Sequence, residues 1–200
     1  MITIGIVGNE KHQKIVKRLL EQFLLHPMEN IEIVGITKTI DFTSIFLSPI
    51  HILLDTSREW KTSPGQDYGM DSILDTQGIM IMNWDNMNYF SWHKYQSMSI
   101  ITYGINPKAC VTASSIQQDM SGNTTIQCCV QRPFITRDGE LIEPQEFTVH
   151  MQTPIQEDLD LILGVITATL VIPKKSRYLV SNHEATSLQI ASVSLIPHIF

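Results

Sequence analysis

Apolar residues arrive in short bursts between polar, Gly- and Pro-bearing connections, and the spacing inside each burst assigns an element. Ile2 to Val7 is apolar and β-branched and closes at Gly8, the pattern of a buried strand. From Lys11 to Leu25 the apolar positions Ile15, Val16, Leu19, Leu20, Phe23 and Leu24 recur at i, i+3 and i+4. That stripe predicts an amphipathic helix, stopped just before Pro27. Ile31 to Thr37 is a second apolar strand. The chain therefore opens β-α-β, the unit that makes a parallel sheet with a right-handed crossover.

Ile50 to Asp55 predicts a third strand, ending in an acidic residue. Thr56 to Asp71 carries Pro64, Gly65 and Gly69 and reads as loop, and Ser72 to Gln77 is weakly patterned. Gly78 introduces the apolar run Ile79 to Met82, a further buried strand. Met87 to Tyr95 fits a short helix, and Ser99 to Tyr103 fits a strand closed by Gly104. The period then changes. Ala109 to Gln117 and Thr124 to Gln131 flank the turn-rich Asp119 to Asn123. Phe134 to Ile142 centres on Arg137-Asp138-Gly139, a hairpin signal, and Phe147 to Met151 alternates again. These predict antiparallel strands. Glu157 to Val171 has helical spacing and stops before Pro173, and Glu184 to Ile196 suits a helix or a strand equally. The expected fold class is α/β: a parallel sheet flanked by helices, with a small antiparallel sheet in the second half. One domain is expected over residues 1–200, with a parallel part at 1–108, an antiparallel part at 109–152 and a closing helix and C-terminal segment at 153–200.

Two hundred residues suit one well-packed domain, and 43% apolar with 17% charged residues excludes wholesale disorder. A net charge of -6 argues against nucleic acid and anionic membranes as partners, since both need clustered Lys and Arg. The one basic cluster, Pro173 to Arg177, reads as solvated surface. No apolar run is long enough for a signal-peptide core or a membrane span, so a cytoplasmic protein is expected. Cys110, Cys128 and Cys129 lack CxxC spacing, and adjacent cysteines on a strand point to opposite faces. They read as reduced, mostly buried thiols rather than metal ligands or disulfides.

Several ordered motifs share one likeness. Asn83-Trp84-Asp85-Asn86 ends one predicted strand, Thr102-Tyr103-Gly104 ends the next, Ala109 to Ile116 follows, and Asp119 to Gly122 makes a turn. In this order they resemble the central domain of the Mur ligases, the ATP-dependent enzymes that join amino acids to cell-wall precursors. The similarity is best over residues 79–130 and extends weakly over 1–172. It implies a nucleotide-binding α/β fold and a bacterial cell-envelope or sporulation setting.

The departures bear on activity. A phosphate loop uses glycines to turn backbone N–H groups onto phosphate, a Lys to neutralise charge and a Ser or Thr to hold Mg²⁺. In the family's spacing the second glycine falls at Lys11, the lysine at His12 and the hydroxyl residue at Gln13. Glu10 adds negative charge. The family's Gly-x-His-Asn reads Ile155-Gln156-Glu157-Asp158 here, and the substrate and C-terminal ligase domains are not in this chain. The leading expectation is a non-catalytic interaction or scaffolding module, working as a homo-oligomer or with a protein partner and needing no cofactor. One alternative is an ATP- and Mg²⁺-dependent carboxylate–amine ligase, or one subunit of it. Another is a nucleotide or small-ligand sensor without hydrolysis. The candidate cofactor-binding residues are Gly8, Lys11, His12, Asn83 and Asp85. A ligand pocket is expected from Asp55, Arg58 and Glu59 with His12, because open α/β sheets bind ligands beyond the carboxyl ends of their strands. Tight turns and surface ion pairs explain the same residues without a ligand. No metal site or catalytic residue is assigned.

Overall fold

A computed structural model describes residues 1–24, 31–36, 49–57, 73–86, 98–151, 159–172, 179–181 and 188–193. The strands are β1 (Ile2–Val7), β2 (Ile31–Ile36), β3 (Ile50–Asp55), β4 (Leu74–Asn83), β5 (Ser99–Tyr103), β6 (Val111–Gln118), β7 (Thr124–Val130), β8 (Phe134–Ile135), β9 (Leu141–Ile142), β10 (Gln145–Met151), β11 (Leu179–Ser181) and β12 (Leu188–Val193). Among the described residues two α-helices accompany them, α1 (Glu10–Phe23) and α2 (Leu159–Val171). The α/β class is as expected. Ten strands form one mixed sheet in the order β11-β12-β10-β7-β6-β5-β4-β3-β1-β2, and β8 pairs with β9 in a small antiparallel sheet. Strands β1 to β6 run parallel, whereas β7 is antiparallel to both β6 and β10. The antiparallel strands of the second half thus continue the main sheet.

Side-chain alternation divides the core between the two faces. Ile4, Ile6, Ile52, Leu54, Ile79, Ile81, Ile101 and Tyr103 share one buried cluster with α1 and α2. Val7, Ile36, Leu53, Met80 and Met82 form a second cluster. Helix α1 contributes Val16, Leu19, Leu20 and Phe23 to the first cluster, the stripe its sequence spacing predicts. Helix α2 differs, because every residue from Leu161 to Val171 is buried. A helix that is apolar all round belongs inside the protein. Its two threonines satisfy their hydroxyls locally: Thr167 donates to Leu163 O at 2.8 Å and Thr169 to Val165 O at 2.9 Å. Fully burying each Leu or Ile of this layer contributes about 1.5–3 kcal/mol. No helix among the described residues is long and apolar enough to cross a membrane.

Two elements, the start of β4 and the strand β11, differ from the sequence expectation, and one open reading is decided. The weakly patterned residues before Gly78 belong to β4, which starts at Leu74. Register passes from Ile50↔Leu74 to Ile52↔Ile79, so Asp75 to Gly78 bulge out of the ladder and lose their alternation. The ambiguous stretch 184–196 contains a strand, β12, because it pairs with β10. A short strand, β11, precedes it. The helix expected over Met87–Tyr95 lies outside the described residues.

Candidate functional site

The parallel strands end together on one edge, and the strand order reverses at β1, which has β2 on one side and β3 on the other. Such a switch point opens a crevice beyond the carboxyl ends of the strands. The edge carries Gly8 and Asn9 after β1, Asp55, Thr56 and Ser57 around the end of β3, Asn83 to Asn86 around the end of β4, and Gly104 to Asn106 after β5.

The β1–α1 connection consists of Gly8 and Asn9 alone. Asn9 caps the helix, its Oδ1 accepting from His12 N at 2.8 Å. Lys11, His12 and Gln13 therefore lie in the first turn of α1. Gln13 Nε2 donates to Gly8 O and to Ile36 O, both at 2.9 Å, stapling the ends of β1 and β2. Gly35 leaves room for this amide, since a Cβ there would collide with Gln13 Oε1. On the other side, Thr56 donates to Val7 O through its N–H at 2.9 Å and its hydroxyl at 2.8 Å. A Cβ on Gly8 would strike that hydroxyl, so Gly8 is required by close approach. The Nδ1–H of His12 donates to Thr56 O at 3.2 Å, because a carbonyl can only accept.

Asp55 is buried, with Oδ1 accepting from Ser57 N at 2.9 Å and Ser57 Oγ at 2.6 Å. Its backbone carbonyl accepts from the hydroxyl of fully buried Tyr103 at 2.8 Å. Burial, and then the carboxylates of Asp55, Asp160 and Asp85, push the Tyr103 phenol well above its ordinary value. Tyr103 is therefore a neutral donor. At the end of β4, Asn83 is buried and its Oδ1 accepts from Asp85 N at 2.8 Å. The Asp85 carboxylate accepts from Ile105 N at 2.7 Å and Asn106 N at 3.1 Å, bracing the β5–β6 turn. Gly104 lets the carboxylate in, as a Cβ would lie 2.5 Å from Asp85 Oδ2.

The structure thus brings Gly8, His12 and Asp55 together at the switch point, bridged by Thr56. Asn83 and Asp85 stand at the end of β4, on the far side of β3, and Tyr103 links the two groups. Lys11 is exposed on α1, and Arg58 and Glu59 lie outside the described residues. Among the described residues, no three His, Cys, Asp or Glu side chains converge on a metal-sized site. Sequence reasoning assigned no site role to Asn9, Gln13, Thr56, Ser57 and Tyr103. Asn9 carried a local signal for its role, as a cap-forming residue before an apolar stripe. The chemistry of this edge is positional: Gln13, Thr56, Tyr103 and Asp85 bond the backbone at the ends of neighbouring strands, while Asn9, Asp55 and Asn83 brace their own turns. No protein-family model matches the chain, and no curated protein sequence matches it.

Proposed function

We propose that this chain is a non-catalytic interaction module, built on a frame like the Mur ligase central domain and acting through a protein partner or further copies of itself in the cytosol. One observation carries this reading: the β1–α1 connection is two residues long, and α1 begins at Glu10. A phosphate loop needs several non-helical residues whose N–H groups converge on the anion. Here the residues in the family's loop register form helix. Gln13, in the register of the metal-anchoring hydroxyl, is tied to Gly8 O and Ile36 O. Glu10 places a carboxylate where phosphate charge would sit.

The test is thermal unfolding of the pure protein with and without Mg-ATP, ADP and UDP-linked sugars, beside an ATP-turnover assay. A ligand at about 100 times its Kd stabilises a native protein by roughly 2.7 kcal/mol, a shift of several degrees. The module reading expects no shift and no turnover. Turnover abolished by changing Lys11 and Lys14 sinks it and supports an ATP-dependent ligase or ligase subunit.

The reversal of strand order at β1 favours a second reading, a small-ligand or nucleotide sensor using the β1/β3 crevice without hydrolysis. Saturable binding without turnover, weakened by His12→Ala, is its signature.

A further inference from the structure

The opposite edge of the sheet, where the parallel strands begin, holds a clamp that no strand-end ligand site needs. Arg137 lies in the turn between β8 and β9. Its guanidinium donates to Gln77 O at 2.8 Å and forms an ion pair with Asp75, both in the bulged segment of β4. Its backbone N–H donates to Val171 O at 3.1 Å, at the end of α2. One residue therefore fastens the β8–β9 hairpin to β4 and to α2. Beside this clamp stands His51 of β3, opposite the bulge. Its Nδ1 accepts from Thr3 N of β1 at 3.1 Å, so Nδ1 carries no proton.

We propose that His51 is an acid-operated latch: protonation of its imidazole releases the Thr3 N–H and loosens the Arg137 clamp that holds the β8–β9 hairpin. A proton on Nδ1 turns the acceptor into a donor facing another donor, so the bond to Thr3 is lost. The same proton creates a cation near Arg137 that competes with it for Asp75. Three charged groups act on His51 in its pH response: Arg137 from the β8–β9 turn, Asp75 from β4 and the chain's amino terminus before β1. Burial first, then Arg137, hold the imidazole below its ordinary value, while Asp75 pulls the other way. Burial pushes the Asp75 carboxyl up, but the Arg137 hydrogen bond and charge outweigh it and leave the group below its ordinary value. Asp75 therefore stays ionised while His51 titrates. The sign follows: a base with a depressed folded value contributes stability above its unfolded value of about 6.5, and loses it as pH falls through the folded value.

Amide hydrogen exchange, corrected for intrinsic rates, tests this at pH 7.5 and pH 5.0. Protection of Thr136, Arg137 and Glu140 in the wild-type protein falls about tenfold on acidification. In His51→Asn, whose Oδ1 takes the place of Nδ1 as acceptor for Thr3 N but does not titrate, protection is the same at both pH values. Equal acid responses in the two proteins, or none in the wild type, overturn the latch. If His51→Asn fails to fold, the wild-type His51 ring resonances decide. Their titration midpoint coincides with the loss of hairpin protection, and separate midpoints overturn the proposal.

Discussion

The Tyr103 hydroxyl reaches from the end of β5 across β4 and donates to the backbone carbonyl of Asp55 at 2.8 Å. This bond joins the candidate pocket at the end of β3 to the Asn83–Asp85 turn region and lies wholly inside the core. Replacing Tyr103 by Phe keeps the ring and strands a buried acceptor. The loss is about 1–2 kcal/mol, or about 2–8 °C in the unfolding midpoint of a chain this size. The pH dependence separates this from a packing defect. The phenol is held above its ordinary value, so its contribution is present below about pH 10 and is lost as pH rises through the folded value. The gap between wild type and Tyr103→Phe, read by denaturant melts, is constant to about pH 10 and closes above it. A gap that persists at higher pH contradicts the assignment.

Gly164 of α2 is where the buried helix passes over that same ring. A Cβ there would lie 3.0 Å from Tyr103 Cζ, 3.2 Å from its hydroxyl oxygen and 3.3 Å from Leu54 Cδ1. In an exposed helix Gly→Ala gains about 0.5–1 kcal/mol. Here the ring cannot yield, because its hydroxyl is fixed to Asp55. Gly164→Ala is expected to destabilise by about 1–3 kcal/mol, the usual cost of overpacking. A Gly164→Ala protein that melts above wild type would show that the α2–β5 contact is loose.

These two relationships also show which parts of the molecule the sequence reveals. The α1 stripe, the Gly8 strand end and the Arg137-Asp138-Gly139 hairpin rest on periods and turn chemistry within a few residues, and each is legible. The start of β4 is not, because Asp75 and Gln77 are held by Arg137 about sixty positions later, and a bulge erases alternation. Residues 188–193 have no local preference and become strand by pairing with β10. At the candidate site Gly8 is readable as a tight turn. Gln13 and Tyr103 act on Ile36 and Asp55, partners remote in sequence, and the motif positions they occupy say nothing of those partners.

Thr3 supplies a test in the stabilising direction. Its hydroxyl is buried in β1 and has no hydrogen-bond partner, while its backbone N–H is satisfied by His51. An unpaired buried polar group costs about 1–3 kcal/mol. Thr3→Val removes it at nearly constant shape and should raise stability by about 1 kcal/mol, or 2–4 °C. Thr56→Val is the control, because that hydroxyl bonds Val7 O at 2.8 Å, and its loss should lower stability by about the same amount. Parallel shifts of the two variants would mean that valine's strand preference, not hydroxyl pairing, sets the result.

The adjacent thiols of β7 make a prediction about reactivity that needs no mutation. Cys128 and Cys129 alternate across the sheet, with Cys128 buried among core residues and Cys129 half-buried on the other face. Burial, then the neighbouring Cys129, pushes the Cys128 thiol up to about 12. Burial and then the Glu146 carboxylate, its cross-strand partner, raise Cys129 as well. The thiolate is the reactive form. At pH 8 only about one in ten thousand Cys128 side chains is ionised, and the core shields that fraction. Iodoacetamide labelling followed by peptide mass spectrometry should therefore modify Cys129 before Cys128. Cys128 should be modified only as fast as the protein unfolds, with a rate that rises with denaturant in step with global unfolding. Labelling of Cys128 at the Cys129 rate in native buffer would mean that β7 opens locally, and the core assignment of this strand would fail.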